Sequence, residues 1–146
     1  MLKLIQNGDI FTSSCDFLIN PVNVVGIMGK GLALEFKKRF PRNFQVYQKC
    51  CKDGSFVVGK LLVVPENGKA IVNFPTKVHW KDNSTIDYIK LGLEKLKIAV
   101  QRYNIKSIAF PKVGCGLGNL DWNDVFPLIE AFSNSIDQNI LVEVYI

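Results

Sequence analysis

Two glycine-rich stretches hold the residues of this chain that are best suited to binding an anion. The first, residues 20–31, has glycines at positions 26, 29 and 31, and the second is Gly114-Cys115-Gly116-Leu117-Gly118. Each follows a short apolar run and precedes a helical pattern, so both are predicted to be strand-to-helix turns. Glycine allows positive φ and close approach of a ligand to the main chain, and the N–H groups at a helix start favour a phosphate. Either stretch alone could be a turn and nothing more, but two at the ends of strands in one sheet predict a diphosphate site.

Neither stretch is a standard nucleotide-binding motif. A Walker A motif needs Ser or Thr after its lysine, whereas Lys30 is followed by Gly31. The second stretch does not complete G-x-G-x-x-G, because Gly118 is followed by Asn119. Without a dinucleotide fingerprint and its acidic partner, a nicotinamide oxidoreductase is disfavoured.

A third candidate for chemistry is Lys77, which follows Asn73-Phe74-Pro75-Thr76 at the end of a predicted strand. A lysine amine that is partly withdrawn from water has a lowered pKa and can attack a carbonyl-like carbon. The alternative is a lysine that contacts a phosphate or is simply solvated. Ligands of such sheets bind outside the carboxyl ends of the strands, so Asn20, Lys77 and Gly114 are predicted to converge on one cleft.

The elements that must position these residues follow from hydrophobic periodicity. Strands are predicted at residues 2–5, 15–19, 57–64, 70–74, 107–111 and 140–145, and helices at 32–40, 43–52, 85–103 and 122–134. Asn43, Ser84 and Asp121 are predicted to cap the last three helices. Alternating strands and helices predict an α/β fold with three layers, α/β/α, around a central mixed sheet. The whole chain, 1–146, is expected to be one domain.

Composition sets the remaining bounds. The 146 residues carry a formal net charge of +5, which favours anionic partners such as nucleotides or nucleic acid. Four cysteines without C-x-x-C spacing and one histidine predict no metal site and no cofactor. No signal peptide and no apolar run near ~18 to 20 residues is present, so a cytoplasmic monomer that does not enter a membrane is expected. Cys115 is interpreted as small loop filler in preference to a nucleophile.

Three separated motifs resemble those of a known family, the macrodomains, which share an α/β fold that binds ADP-ribose. The motifs are residues 25–31, 73–80 and 114–122, and the likeness extends over essentially the full chain. In addition, Gly8-Asp9-Ile10 resembles the adenine-binding turn of the family, and residues 19–23 resemble its Asn-rich strand end. The chain is most similar to the branch that contains the terminal ADP-ribose protein glycohydrolases and the DarG-type antitoxins, which remove ADP-ribose from DNA.

The resemblance implies a catalytic role for Lys77 and a set of ADP-ribose-binding residues. That set is Asp9, Ile10, Asn20, Asn23, Gly26, Met28, Gly29, Lys30, Gly31, Leu32, Pro75, Thr76, Val113, Gly114, Cys115, Gly116, Leu117 and Gly118. Asp9 would accept a hydrogen bond from adenine, or else form an Asx turn or helix cap. Asn23 would orient the distal ribose, cap the glycine turn, or do both.

One position departs from the protein-directed enzymes of this branch. They carry a catalytic Asp where this chain has Gly118, and the nearest acid is Asp121, the predicted helix cap. DarG-type sequences share Leu120-Asp121-Trp122, which favours the DNA-directed group; His79 or water would then assist proton transfer. The expected function is a hydrolase that removes mono-ADP-ribose from DNA bases, and possible further substrates are protein carboxylates. The alternatives are a non-catalytic ADP-ribose reader and an ADP-ribose-1″-phosphate phosphatase.

Overall fold

The computed structural model describes all 146 residues, which build one six-stranded sheet and four α-helices. The strands are β1 (Leu2–Ile5), β2 (Phe17–Val22), β3 (Leu62–Glu66), β4 (Lys69–Pro75), β5 (Ser107–Phe110) and β6 (Leu141–Tyr145). The helices are α1 (Gly31–Arg39), α2 (Pro41–Lys52), α3 (Ile86–Arg102) and α4 (Trp122–Asn134), and a short 3₁₀ helix spans Ile10–Thr12. None of the helices is long and apolar enough to span a bilayer.

The order of strands across the sheet is β1-β6-β5-β2-β4-β3. All neighbours are parallel except the β3–β4 hairpin, so the predicted mixed sheet is confirmed. In the centre, β2 pairs with β4 over its whole length, with Asn20 opposite Asn73. Because β2, β4 and β5 run in the same direction, the chain leaves all three at one edge of the sheet. That edge carries both glycine turns and Lys77.

Apolar side chains on the two faces of the sheet pack against different helices. Ile19 belongs to a cluster of 18 buried residues that also includes Leu96 of α3 and Ile129 of α4. The preceding residue, Leu18, lies in a separate cluster with Phe36 of α1. Side chains of consecutive strand residues point to opposite faces, so these contacts place α1 and α3/α4 on opposite sides of the sheet. The predicted α/β/α layering is therefore confirmed.

Two of the predicted strands, 15–19 and 57–64, had wrong boundaries. β3 begins at Leu62 and not at Val57, because residues 57–60 form a turn in which the Lys60 N–H donates to the Val57 carbonyl over 3.1 Å. β2 runs on past Ile19 to Val22 and so includes Pro21. Proline cannot donate to a ladder, and Pro21 is tolerated because β5 pairs only with the first two residues of β2.

Of the three predicted helix caps, only Asp121 is confirmed, with its carboxylate accepting from the Asn123 N–H at 2.9 Å. The cap of α3 is Thr85, whose hydroxyl accepts from the Tyr88 N–H, and not Ser84. Asn43 is no cap either, because α2 already begins at Pro41, where the missing N–H is no loss.

Candidate active site

A cavity of about 610 Å³ lies at the edge of the sheet where β2, β4 and β5 end. This volume is in the range of small-molecule and cofactor sites. Both glycine turns and Lys77 contribute to its wall, so Lys77 and Gly114 converge as predicted, whereas Asn20 does not line the cavity. The wall consists of Pro21, Val22, Asn23, Ile27, Gly29, Lys30, Gly31, Leu32, Ala33, Thr76, Lys77, Trp80, Ser84, Gly114, Gly116, Leu117 and Gly118.

The first glycine turn is held in shape by the side chain of Asn23. Its Nδ2 donates to the Ile27 carbonyl at 2.7 Å, and its Oδ1 accepts from the Val25 N–H at 3.1 Å. The buried Tyr47 hydroxyl donates to the same Oδ1 at 2.8 Å. Asn23 therefore caps the turn, as one of its two predicted roles requires, and it also lines the cavity.

The helix that follows this turn begins without a side-chain cap. α1 starts at Gly31, whose φ is +58°, and the side chain of Lys30 makes no capping hydrogen bond. The N–H groups of a first turn have no partner within the helix, and a helix start carries partial positive charge. Since residues 29–33 line the cavity, this end of α1 is suited to an anionic group such as a phosphate.

The second glycine turn contacts the loop that follows β4. The Ser84 N–H donates to the Gly118 carbonyl at 2.9 Å, and the Ser84 hydroxyl donates to Thr76 Oγ1 at 3.0 Å. A Cβ at position 118 would clash with Ser84 Oγ and with the Gly114 carbonyl. In this conformation the turn leaves no room for a side chain at position 118 and therefore needs glycine there.

Lys77 is partly buried in the cavity wall, and its Nζ donates to the Trp80 carbonyl at 3.3 Å. Burial lowers the pKa of Lys77 below the usual lysine value, while the nearby Asp82 carboxylate acts in the opposite direction. A larger fraction of this amine is therefore neutral at a given pH than for an exposed lysine. This is the state that a nucleophilic amine requires.

No aspartate, glutamate or histidine lines the cavity. Asp121 caps α4, and His79, whose Nδ1 accepts from the Lys81 N–H at 3.2 Å, is not part of the wall. Cys115 also lies outside the wall, and burial raises the pKa of its thiol, which keeps it protonated. The only titratable side chains in the wall are Lys30 and Lys77.

Several predicted binding residues lie outside the cavity wall. Asn20, Met28, Pro75 and Val113 are buried, and Cys115 is partly buried. Gly26 lines a separate depression beside α2. Ile10 lies in the 3₁₀ helix and Asp9 immediately precedes it, and both are outside the cavity wall.

Asp9 caps the 3₁₀ helix, as the alternative interpretation of this residue expected. Its Oδ1 accepts from the Phe11 N–H at 2.9 Å. The side chain is exposed, and its second carboxylate oxygen accepts no hydrogen bond from the chain. That oxygen is free to accept one from a ligand.

Beneath the first glycine turn lie three buried asparagines that sequence reasoning did not connect. Asn43 and Asn73 exchange two side-chain hydrogen bonds, of 3.1 and 2.8 Å. Asn20 donates to Asn73 at 3.3 Å and lies 3.9 Å from the sulfur of Met28, while its own Oδ1 has no partner. Asn20 is therefore buried below the cavity wall, and its contact with ADP-ribose stays a prediction.

Six residues of the cavity wall were missed by the sequence analysis, namely Pro21, Val22, Ile27, Ala33, Trp80 and Ser84. Ser84 was assigned to a helix cap because it fits a capping pattern. Trp80 could have been found, since a tryptophan three residues beyond a proposed catalytic lysine is a large side chain with no helical or strand pattern to bury it.

The Macro domain family model matches residues 19–129, so the chain belongs to the macrodomain family. Among curated relatives, the DNA ADP-ribosyl glycohydrolase of Mycobacterium tuberculosis is 43% identical over 141 residues, covering 93% of this chain and 40% of that protein. The enzyme of the same name from Thermus aquaticus is 40% identical over 86% of this chain and 36% of its own length. This chain thus spans well under half of these relatives.

Solved structures agree with this assignment. The macrodomain of Mycobacterium tuberculosis DarG has a TM-score of 0.95 at 39% identity, with 99% of this chain and 97% of that chain covered. Thermosipho africanus DarTG in complex with ADP-ribose has a TM-score of 0.89 at 36% identity, covering 99% of this chain and 41% of that one. Within the macrodomain family, the chain is therefore similar to DarG macrodomains.

Proposed function

We propose that this chain binds ADP-ribose in the cavity and hydrolyses the bond between its distal ribose and a modified DNA base. The observation that carries the proposal is Lys77, an amine whose pKa is lowered by burial, between two glycine turns and with no carboxylate in the cavity wall. The similar proteins from Mycobacterium tuberculosis and Thermus aquaticus are named DNA ADP-ribosyl glycohydrolases, which supports this choice of reaction.

In this proposal the two glycine turns hold the diphosphate. The uncapped start of α1 offers N–H groups and partial positive charge to one phosphate, and the backbone at residues 114–118 approaches the other. The free carboxylate oxygen of Asp9 accepts a hydrogen bond from the adenine amino group. Positioning of the distal ribose against Lys77 then makes the reaction effectively unimolecular.

The reaction begins when the lone pair of the neutral Lys77 amine forms a bond to C1″ of the distal ribose. The bond between C1″ and the base breaks, and the base leaves with the bonding electrons. The nitrogen of the adduct now carries two protons: one neutralises the departing base, and the other passes to the ring oxygen as the ribose opens to an imine. Water adds to the imine carbon, which releases ADP-ribose and restores the amine. No second acid is needed to balance the protons.

A second candidate function is favoured by the same cavity wall. Because no carboxylate or histidine lies there to activate water, a chain whose Lys77 is only a phosphate contact would bind ADP-ribose without turning anything over. Removal of ADP-ribose from protein carboxylates would use the same adduct with a different leaving group. These possibilities are separated by the experiment below.

The test compares Lys77→Ala and Lys77→Arg with wild type, and with Lys90→Ala on the exposed face of α3 as a control. Both Lys77 variants should lose most release of ADP-ribose from a modified oligonucleotide. Their affinity for free ADP-ribose should stay within about tenfold, or ~1.4 kcal/mol, of the wild-type value, because binding depends mainly on backbone groups. Arginine keeps the positive charge but is not a nucleophile, so an active Lys77→Arg would make Lys77 a phosphate contact.

Reduction by borohydride gives an independent readout. An imine is reducible and an ionic contact is not, so wild type incubated with substrate should yield a covalent adduct at Lys77 and the variants none. If wild type binds ADP-ribose but releases none from modified DNA or protein, the chain is a reader.

A further inference from the structure

The indole ring of Trp80 is 44% exposed although it belongs to the cavity wall. Its aromatic and cationic neighbours are its sequence neighbours: the His79 ring has its centroid 5.4 Å away, and Lys81 Nζ lies 5.2 Å from the ring centroid. An indole contributes much to stability when buried, yet nearly half of the Trp80 surface is left in water. A partly exposed indole at the mouth of a cavity is suited to stacking on a planar partner.

The position of Trp80 relates this ring to one part of the substrate. Its carbonyl accepts the hydrogen bond from Lys77 Nζ at 3.3 Å. In the proposed function, on which this inference rests, that amine forms a bond to C1″. The group that leaves C1″ must therefore depart beside residues 77–80, and Trp80 is the large aromatic side chain there.

The remainder of the cavity mouth has the character of a surface for a base. Ile27 and Leu117 also belong to the wall, and they are 45% and 61% exposed. Lys81 adds a positive charge beside the indole, and Asp82, the one acid close by, accepts a hydrogen bond from the His79 N–H at 3.0 Å. Base stacking on an aromatic ring next to a cation is the usual way in which proteins hold single-stranded nucleic acid. An aliphatic carboxylate leaving group has no ring to stack.

We propose that Trp80 is a specificity-determining residue that stacks on the nucleobase attached to C1″, and that Lys81 contacts a phosphate of the adjoining nucleotide. The pair selects a base over a protein carboxylate as the leaving group. It also requires that the modified base be unpaired, because a base within a duplex cannot present its face to an indole.

The test measures binding, so that it does not depend on turnover. In a Lys77→Ala background, affinities are determined for free ADP-ribose, for a single-stranded oligonucleotide with one ADP-ribosylated base, and for a peptide ADP-ribosylated on glutamate. The variants are Trp80→Leu, which removes the ring, and Trp80→Phe, which keeps an aromatic face. Tyr103→Leu, which replaces a 48% exposed ring at the end of α3, is the control.

Trp80→Leu should weaken binding of the oligonucleotide by about 5- to 150-fold, the range for loss of one stacked base. The affinity for free ADP-ribose should change by less than about twofold. Trp80→Phe should recover most of the affinity, and Tyr103→Leu should match the parent. The peptide should bind no more tightly than free ADP-ribose in any variant. Lys81→Gln should reduce the slope of log K against log salt by about 0.7 for the oligonucleotide alone.

Three results would overturn the assignment. These are an unchanged oligonucleotide affinity in Trp80→Leu, an equal loss for ADP-ribose and the oligonucleotide, and a peptide that binds as tightly as the oligonucleotide. A wild-type chain that hydrolyses no substrate would refute the proposed function, but the affinity comparison would still decide the role of Trp80.

Discussion

At the scale of single residues, the reactivity of the site depends on how Lys77 is charged. Burial lowers its pKa, and Asp82 raises it by stabilising the ammonium form. Asp82 is exposed and does not line the cavity, so its influence acts through its charge alone. The two effects can therefore be separated by removing the charge of Asp82.

The pH dependence of single-turnover hydrolysis should follow this balance. The neutral amine is the nucleophile, so the rate should rise with pH through the pKa of Lys77, at a pH below the usual lysine range. Asp82→Asn keeps an acceptor for the His79 N–H but removes the charge that favours the ammonium form of Lys77. The rise of its hydrolysis rate with pH should therefore occur at a lower pH than in wild type. Rates at several pH values check this, with Asp87→Asn, an exposed change in the first turn of α3, as control. If the rate rises at the same pH in Asp82→Asn and in wild type, Lys77 is excluded as the titrating group.

At the scale of elements, the site depends on contacts between loops that follow different strands. Ser84 connects the segment after β4 to the turn after β5, through Thr76 on one side and the Gly118 carbonyl on the other. Within that turn, two glycines of the same motif have different surroundings. A Cβ at Gly118 would clash with Ser84, whereas a Cβ at Gly116 would meet no atom within 4 Å.

Alanine substitution should therefore reduce stability at Gly118 and leave it unchanged at Gly116. Gly118→Ala should lower the free energy of unfolding by about 1 to 3 kcal/mol, the usual cost of overpacking. It should also weaken the binding of ADP-ribose, because the turn must move. Gly116→Ala should unfold at the wild-type urea concentration. Urea titrations and the thermal shift caused by ADP-ribose measure both effects. Equal stability of the two variants would show that Ser84 can move away from the added methyl group without loss of stability.

At the scale of the whole molecule, the two ends of the chain are joined at one edge of the sheet. The Met1 ammonium donates to the Ile140 carbonyl at 2.5 Å, and β1 pairs with β6. On β6, the buried Glu143 carboxylate accepts from the Ser13 hydroxyl at 2.6 Å and from the Tyr145 hydroxyl at 2.9 Å. These contacts hold the segment after Asp9 against the last strand.

The same carboxylate should make the fold sensitive to acid. Burial by itself raises the pKa of Glu143, but hydrogen bonds from Ser13, Tyr145 and Cys15 outweigh it and hold the pKa below the usual glutamate value. A carboxyl whose pKa is lower in the folded state stabilises the fold above its unfolded pKa, and this stability is lost as pH falls through the folded pKa.

Glu143→Gln should consequently lower the free energy of unfolding by about 1 to 3 kcal/mol at neutral pH, since it removes the charge that strengthens these hydrogen bonds. The difference from wild type should shrink as the pH falls below the folded pKa of Glu143. Urea titrations between neutral and acidic pH measure it, with the exposed Glu130→Gln on α4 as control. If the difference in the free energy of unfolding between Glu143→Gln and wild type stays constant with pH, the loss of stability is due to packing and not to the charge of Glu143.

Local patterns in the sequence were sufficient to predict most of the helices and strands. Glycine spacing and apolar periodicity predicted two strand-to-helix turns and the layered fold, because each depends on residues close together in the chain. The catalytic role of Lys77 rested on the family resemblance and stays a prediction. Local patterns also misled: Ser84 and Asn43 fit capping patterns, but both are used for contacts with distant residues.

Tertiary structure decided which of these residues meet. The register of β2 with β4 sets Asn20 beside Asn73 and buries both, which removes Asn20 from the cavity wall. The approach of Ser84 to Gly118 leaves no room for a side chain at position 118, and the path after β4 leaves the Trp80 ring exposed near Lys77. The Asn20–Asn73 and Ser84–Gly118 pairings join residues that are far apart in the chain, and no local pattern encodes them.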